Sequence, residues 1–258
     1  MGFPTVTKDH ILTALKNIGA RDFSILYVAS FIPVLGNSRT IIQDTIDALK
    51  ECAGEGGTIV MPTFNWDYCS GEIFDPIETV SMTGVLTEHF RKQPGVVRSL
   101  KPPWCSFAAW GKKAHEIVGI QGSTPFGPDS IPQFLYEQNA LYVLLGCGFD
   151  DGVIHIHWLE EKFKVPYRFW KTFKGSVRSG GRLFEDVSYM YARRKDINLE
   201  INTNHMTDKF EKTGMVNIQD LGLGRIASFT TKDYVDFITP FFEKDPLCAL
   251  SSAARAEL

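Results

Sequence analysis

Two histidines one residue apart, closely followed by two glutamates, mark the stretch Val153-Ile-His-Ile-His-Trp-Leu-Glu-Glu-Lys-Phe163. On a strand, His155 and His157 would share a face and could begin a metal site. A hydrolase of that kind needs further His and Asp ligands downstream, and only His205 follows, with no ligand spacing around it. On a helix, residues two apart sit ~200° apart around the axis, so only one ring can face a site. His157 then has Glu160 at i+3 and Glu161 at i+4, whereas His155 has Trp158 and Leu159 and reads as a packed ring. A carboxylate accepting from one imidazole nitrogen fixes the tautomer and makes the other nitrogen a better base. The plain alternative, a packed or surface histidine beside a solvated Glu-Glu-Lys face, stays open on this segment alone.

Whichever reading holds, a scaffold must position the segment. Thr7 can cap a helix over Lys8 to Ile18, with Ile11, Leu12, Leu15 and Ile18 on one face and Gly19 at its stop. Ser24 to Ala29 is a nearly continuous apolar run, as in a strand covered on both faces. A helix over Arg39 to Cys52 and a short buried strand over Thr58 to Met61 follow, and then a polar, aromatic loop from Thr63 to Thr79. A helix near Gly84 to Lys92 comes next. Ala140 to Leu145 reads as a central strand, after which a helix starts near Gly152, capped by Asp150 or Asp151. Alternating segments at Phe169 to Phe173 and Val187 to Ala192 precede a closing helix, Thr231 to Glu243, capped by Thr230 or Thr231. This rhythm predicts an α/β fold, a three-layer α/β/α arrangement around a mixed, largely parallel central sheet. No linker, repeat or low-complexity stretch interrupts it, so residues 1–258 are expected to form a single domain.

Bulk properties narrow the function. With 44% hydrophobic and 22% charged residues, the 258-residue chain can bury a core without disulfides or structural metal. A net charge of −3 argues against nucleic acid as a partner. No stretch is apolar over the ~18 residues a membrane span requires, and Met1 to His10 lack the pattern of a secretory leader. Five cysteines without a CxxC argue against a zinc or redox motif, and the expected location is the cytoplasm. Cys147, at a strand end, invites a nucleophile reading, but neither a base nor an orienting group accompanies it. No metal is expected, and a homo-oligomer is left open.

Several further stretches acquire meaning together. They are Gly54 to Asp67 (GEGGTIVMPTFNWD), Thr83 to Ser99 (TGVLTEHFRKQPGVVRS), Ser106 to Ala114 (SFAAWGKKA), Thr124 to Gly146 (TPFGPDSIPQFLYEQNALYVLLG) and Phe210 to Pro246. In this order, with His157-Trp-Leu-Glu160 between the last two, the chain resembles the aminoglycoside 3-N-acetyltransferase family, which uses acetyl-CoA and is distinct from the GNAT acetyltransferases. The resemblance runs from the first helix to about Leu250. It implies a histidine base, His157, oriented by Glu160, that deprotonates an amine attacking the acetyl thioester through an oxyanion. It also implies acetyl-CoA as co-substrate and a small-molecule amine acceptor as partner.

Cofactor contacts are expected from Ser30 and Phe31 after the first strand, from Arg98, Ser99 and Ser106, and from Phe126 and Gly127. The acceptor is expected near Trp66, Asp67 and Asp75, although an Asn/Asp-rich loop also has turn-forming reasons to exist. The sequence departs from the family where it reads Val28-Ala29-Ser30 in place of His-Ser-Ser or His-Ser-Asp. It departs again where it reads Arg98-Ser99-Leu100-Lys101-Pro102 in place of Arg-Ser-x-His-Pro, and it has Ile154 in place of threonine. These changes favour acyl transfer to an amino-sugar-type acceptor, such as an aminated sugar nucleotide, over an aminoglycoside-inactivating, resistance-conferring enzyme. A metal-dependent hydrolase using the HxH pair is the reading from another class. A catalytically dead ligand-binding relative would be expected to lose the base or its carboxylate, and both are present.

Overall fold

A computed structural model describes residues 5–36, 39–196 and 199–258. In chain order the elements are α1 (Lys8–Asn17), β1 (Ile25–Ser30), α2 (Ile41–Ala53), β2 (Thr58–Pro62), α3 (Val85–Phe90), β3 (Val97–Arg98), β4 (Phe107–Gly111), α4 (Ala114–Val118), α5 (Ile131–Glu137) and β5 (Leu141–Leu145). There follow α6 (Phe149–Gly152), α7 (His155–Lys162), β6 (Arg168–Ser179), β7 (Arg182–Arg193), α8 (Asn204–Glu211), β8 (Asn217–Leu221), β9 (Gly224–Thr230), α9 (Thr231–Lys244) and α10 (Ser252–Arg255). Thr7 caps α1 and Thr230 caps α9, each through a side-chain oxygen that accepts from a backbone N–H three residues on.

Seven strands form one mixed sheet in the order β3-β4-β2-β1-β5-β9-β8. Its residues alternate between two cores. Tyr27, Ala29, Tyr142 and Leu144 face one apolar cluster, and Leu26, Val28, Leu141, Val143 and Leu145 face the other. Both faces are covered, α1 and α2 packing together on one side and α5, α7 and α9 on the other, which gives the three layers expected. The sheet is mixed, but parallel pairing is confined to β2-β1-β5. The pairings β2-β4, β3-β4, β5-β9 and β8-β9 are antiparallel. The expectation of a largely parallel sheet is corrected accordingly. It weighted the βαβ start of the chain and gave no strand to the segments that became β3, β4, β8 and β9.

Two further corrections bear on the site. The segments at 169–173 and 187–192 belong to a separate two-stranded sheet, β6-β7, with twelve residues in each strand. Its turn, Gly180-Gly181, has φ of 57° and 75°, a left-handed pair that glycine adopts without strain and that matches strand twist. Asp150 and Asp151 do not cap the histidine helix. They lie in the short α6, and α7 starts after Ile154 with no side-chain cap.

Because β1 and β5 run parallel with Ser30 opposite Leu145, their carboxyl ends open side by side. The chain leaving β5 turns through α6 into α7 directly beyond those ends, where open α/β sheets keep their sites.

Candidate active site

The two histidines occupy opposite environments on α7. His155 is fully buried: its Nδ1 meets the Tyr142 hydroxyl at 2.5 Å and its Nε2 meets the Pro132 carbonyl at 2.8 Å. The carbonyl can only accept, so Nε2 carries the proton and Nδ1 accepts from Tyr142. Burial lowers this ring's pKa to about 4, so it is a neutral packing element at physiological pH. With both nitrogens engaged inside the core, His155 cannot converge with His157 on one metal ion.

His157 lines a cleft of about 530 Å³ together with Ser30, Phe31, Phe64, Cys147 and Asp151, and it keeps 30% of its side chain exposed. Its Nδ1 lies 2.8 Å from Glu160 Oε2, one turn along the helix. Glu160 is completely buried and held from two more sides: the Tyr167 hydroxyl donates to Oε1 at 2.9 Å, and Arg168 Nη2 donates to Oε2 at 2.5 Å. Burial alone would raise this carboxyl. The hydrogen bond from His157, the charge of Arg168 and the Tyr167 hydroxyl outweigh it and bring the group down to about 2. An ionised carboxylate only accepts, so His157 Nδ1 donates to it and Nε2 keeps its lone pair. Among the described residues Nε2 has no hydrogen-bond partner. Burial also lowers the pKa of His157, with Glu160 opposing and the Arg168 and Arg193 charges assisting, so the ring is unprotonated at neutral pH.

Arg168 is fastened in turn, since its Nη1 donates to the Tyr191 carbonyl of β7 at 2.9 Å. The β6-β7 hairpin therefore reaches the His157–Glu160 pair through one buried guanidinium. Sequence reasoning missed Tyr167 and Arg168. The available signal was that a glutamate buried beside a histidine ring requires a cation close by. The cleft also receives Cys147, whose thiol is pushed up to about 12 by burial and by the Asp151 charge, so it is not a thiolate nucleophile at neutral pH.

The family model described as Aminoglycoside 3-N-acetyltransferase matches residues 28–243, from within β1 to the end of α9. The chain belongs to the aminoglycoside 3-N-acetyltransferase family. The aminoglycoside N(3)-acetyltransferase IV of Salmonella sp is 32% identical over 164 residues, 62% of this chain and 60% of that relative's length. The crystal structure of aminoglycoside acetyltransferase AAC(3)-IVa superposes with a TM-score of 0.79 at 24% identity, covering 99% of both chains. That of AAC-IIIb with CoASH gives 0.77 at 18% identity, over 93% of this chain and 97% of that one. At these identities the two structures establish the shared fold.

Against this family frame, the other expected residues fall into two groups. Ser30 and Phe31 line the cleft, and the ring of Phe126 packs 5.2 Å from that of His157, with Gly127 donating its N–H to the Thr124 hydroxyl at 2.8 Å. Arg98, Ser99 and Ser106 are buried and do not line the cleft. Arg98 Nε donates to Thr63 Oγ1 and Ser106 Oγ at 3.0 Å each, its Nη2 to the Thr63 carbonyl at 2.6 Å and its Nη1 to the Thr79 carbonyl, while the guanidinium covers the Phe74 ring. Ser99 Oγ accepts from the Phe107 N–H at 2.9 Å. These groups join β3, β4 and the 63–79 loop.

The residues expected at the acceptor lie outside the cleft lining. Asp67 lines a separate cavity with Glu72, and its N–H bonds the Asn65 side chain at 2.9 Å. Asp75 Oδ1 accepts from the N–H groups of Ile77 and Glu78 at 2.9 and 3.2 Å, which makes it a turn builder. Trp66 is exposed and packs against the cleft residue Phe64, 6.4 Å away between ring centres. The carboxylates that the cleft does contain are Asp150 and Asp151.

Proposed function

We propose that this chain transfers an acetyl group from acetyl-CoA to a primary amine of an amino-sugar acceptor, with His157 as the general base. The observation that carries the reading is the divided imidazole: Nδ1 held by a buried, ionised Glu160 and Nε2 unpartnered at the cleft. The neutral amine attacks the thioester carbonyl, and Nε2 takes the proton released as the new C–N bond forms. The resulting imidazolium is stabilised across the 2.8 Å contact with Glu160. Collapse of the tetrahedral intermediate breaks the C–S bond, and the departing thiolate regains a proton from His157. Arg168 and Tyr167 act as positioning residues, because they keep Glu160 ionised and in place.

Asp150 and Asp151 support a cationic, amine-rich acceptor of the aminoglycoside type over a sugar nucleotide, whose phosphates they would repel. Membership of the aminoglycoside 3-N-acetyltransferase family supports the same choice. The chain is read as one acyltransferase domain working in the cytoplasm, where acetyl-CoA is available. Among the described residues no helix is long and apolar enough to cross a membrane.

Thiol release from acetyl-CoA, followed with a panel of amine acceptors, tests the reading. Turnover should require His157 and survive His155→Ala in the fraction that folds. Release that persists in a folded His157→Ala variant and disappears in His155→Ala would overturn it.

A further inference from the structure

An oxyanion that forms on a thioester needs a hydrogen-bond donor, and the side chains lining the cleft leave few. Asp150 and Asp151 are acceptors, and Nε2 of His157 serves as the base. Thr83 donates to the Pro62 carbonyl at 2.6 Å and Thr87 to the Gly84 carbonyl at 2.9 Å, so both of these protons are already committed. Cys147 offers only the weak donor of a thiol. Two side-chain hydroxyls remain, those of Tyr27 and Ser30, and neither bonds to another described residue.

Tyr27 is the better placed of the two. It lies in β1 opposite Tyr142 of β5, and strand alternation turns it to the same face as Ala29, so both line the cleft. The side chain is only 1% exposed. Its ring is set edge-on to Tyr142 at 4.9 Å and tilted against Phe107 at 6.5 Å. A hydroxyl fixed on a packed ring needs no reorganisation when charge appears, which makes a donor effective at an oxyanion. Ser30 is more exposed, and its short side chain turns among rotamers within reach of water. Burial pushes the Tyr27 phenol well above the ordinary tyrosine value, so it keeps the proton it would donate. Phenylalanine would pack the same core without an unmatched donor, so the fold itself does not require this hydroxyl.

We propose that Tyr27 is a further catalytic residue, whose hydroxyl donates a hydrogen bond to the thioester oxygen as it becomes an oxyanion. This rests on the reading of the cleft as an acetyl-transfer site with His157 as base. When the amine nitrogen bonds to the carbonyl carbon, the C=O π pair moves onto oxygen. Tyr27 stabilises that charge while keeping its own proton, and His157 takes the proton from nitrogen. When the pair returns, the C–S bond breaks and the thiolate leaves with the proton from His157. Tyr27 ends the cycle as it began.

Tyr27→Phe removes the hydroxyl and keeps the ring. In thiol-release kinetics it should lower kcat by about 10²-fold, the scale of one oxyanion donor, with the KM for acetyl-CoA and for the amine changed by less than about threefold. The urea midpoint should stay level or rise, which separates a chemical role from a structural one. A second arm uses acetyl-CoA with an isotope-labelled thioester carbonyl, bound to the full chain and followed by infrared difference spectroscopy. The carbonyl band should lie at lower wavenumber in the wild type than in Tyr27→Phe, because the hydrogen bond weakens the C=O bond. This arm needs no amine, so it still decides the role of Tyr27 if no amine is acetylated and the proposed function fails by itself. A kcat for Tyr27→Phe within about threefold of wild type, a carbonyl band at one position in both proteins, or a loss that follows Ser30→Ala in place of Tyr27→Phe would overturn the assignment.

Discussion

The two faces of α7 place the same side chain in two opposite roles. On one face, His155 is surrounded by Tyr142, Trp158 and the Pro132 carbonyl, and burial keeps it neutral with both nitrogens engaged. On the other, His157 gives one nitrogen to Glu160 and turns the rest of its ring to a cleft. A histidine becomes a base when one nitrogen is held by an ionised acceptor and the other is left free. Burial alone, without that asymmetry, produces packing.

Removing each ring in turn should separate the faces most widely. His157→Ala should lower kcat by about 10²–10⁴, the usual contribution of a positioned base, with the circular dichroism spectrum intact. His155→Ala should leave the activity of folded protein within a few-fold and should lower stability by about 2–4 kcal/mol, because it opens a cavity and strands the Tyr142 hydroxyl. Urea unfolding beside thiol-release kinetics would expose an exchange of these outcomes.

The support of Glu160 comes next. Glu160→Gln should cost about 3–5 kcal/mol of stability by leaving the buried Arg168 charge without its partner, and it should also reduce kcat. Arg168→Gln should additionally move the acidic limb of the rate profile to higher pH, because the Arg168 charge holds the His157 pKa down. A profile that keeps its position would show Arg168 to be structural only.

The pH dependence of stability sharpens the contrast further. His155 has a folded pKa of about 4, below the ordinary histidine value, so the unfolded chain takes up the proton first. Its contribution, about 3 kcal/mol, is therefore present at pH 7 and lost as the pH falls from about 6.5 to 4. Glu160, depressed to about 2, contributes above the ordinary carboxylate range, and that stability is lost between about pH 4 and 2. Chemical denaturation midpoints at pH 7, 5 and 3 should fall in two steps, the first of them smaller in His155→Gln, where His157 alone still contributes to it. The smallest expected effect is at a residue outside the cleft. Asp75→Asn should keep the acceptor KM within about twofold, because this side chain builds a turn.

Much of this arrangement is legible from local pattern. The apolar runs that became β1, β2 and β5, the threonine caps of α1 and α9, and the pairing of His157 with Glu160 depend on contacts a few residues apart, which spacing encodes. The ordered motifs that mark the aminoglycoside 3-N-acetyltransferase family are likewise present in the residues themselves. The burial of Arg98 among Thr63, Ser106 and Thr79 depends on pairings 8 to 35 residues apart, and the antiparallel β2-β4 and β5-β9 pairings join residues 45 to 89 apart. An arginine after a loop looks the same in sequence whether it faces phosphate or four protein oxygens.

What the sequence by itself determined is the pairing of His157 with Glu160, because i and i+3 on a helix are neighbours by geometry. What only the tertiary structure decided is which groups hold that pair and what faces it. Arg168 is delivered by the strand after the helix and fastened to the far side of a hairpin. Asp150 and Asp151, rather than Asp67 and Asp75, reach the cleft, because burial and charge compensation are settled by whichever parts of the chain fold against one another.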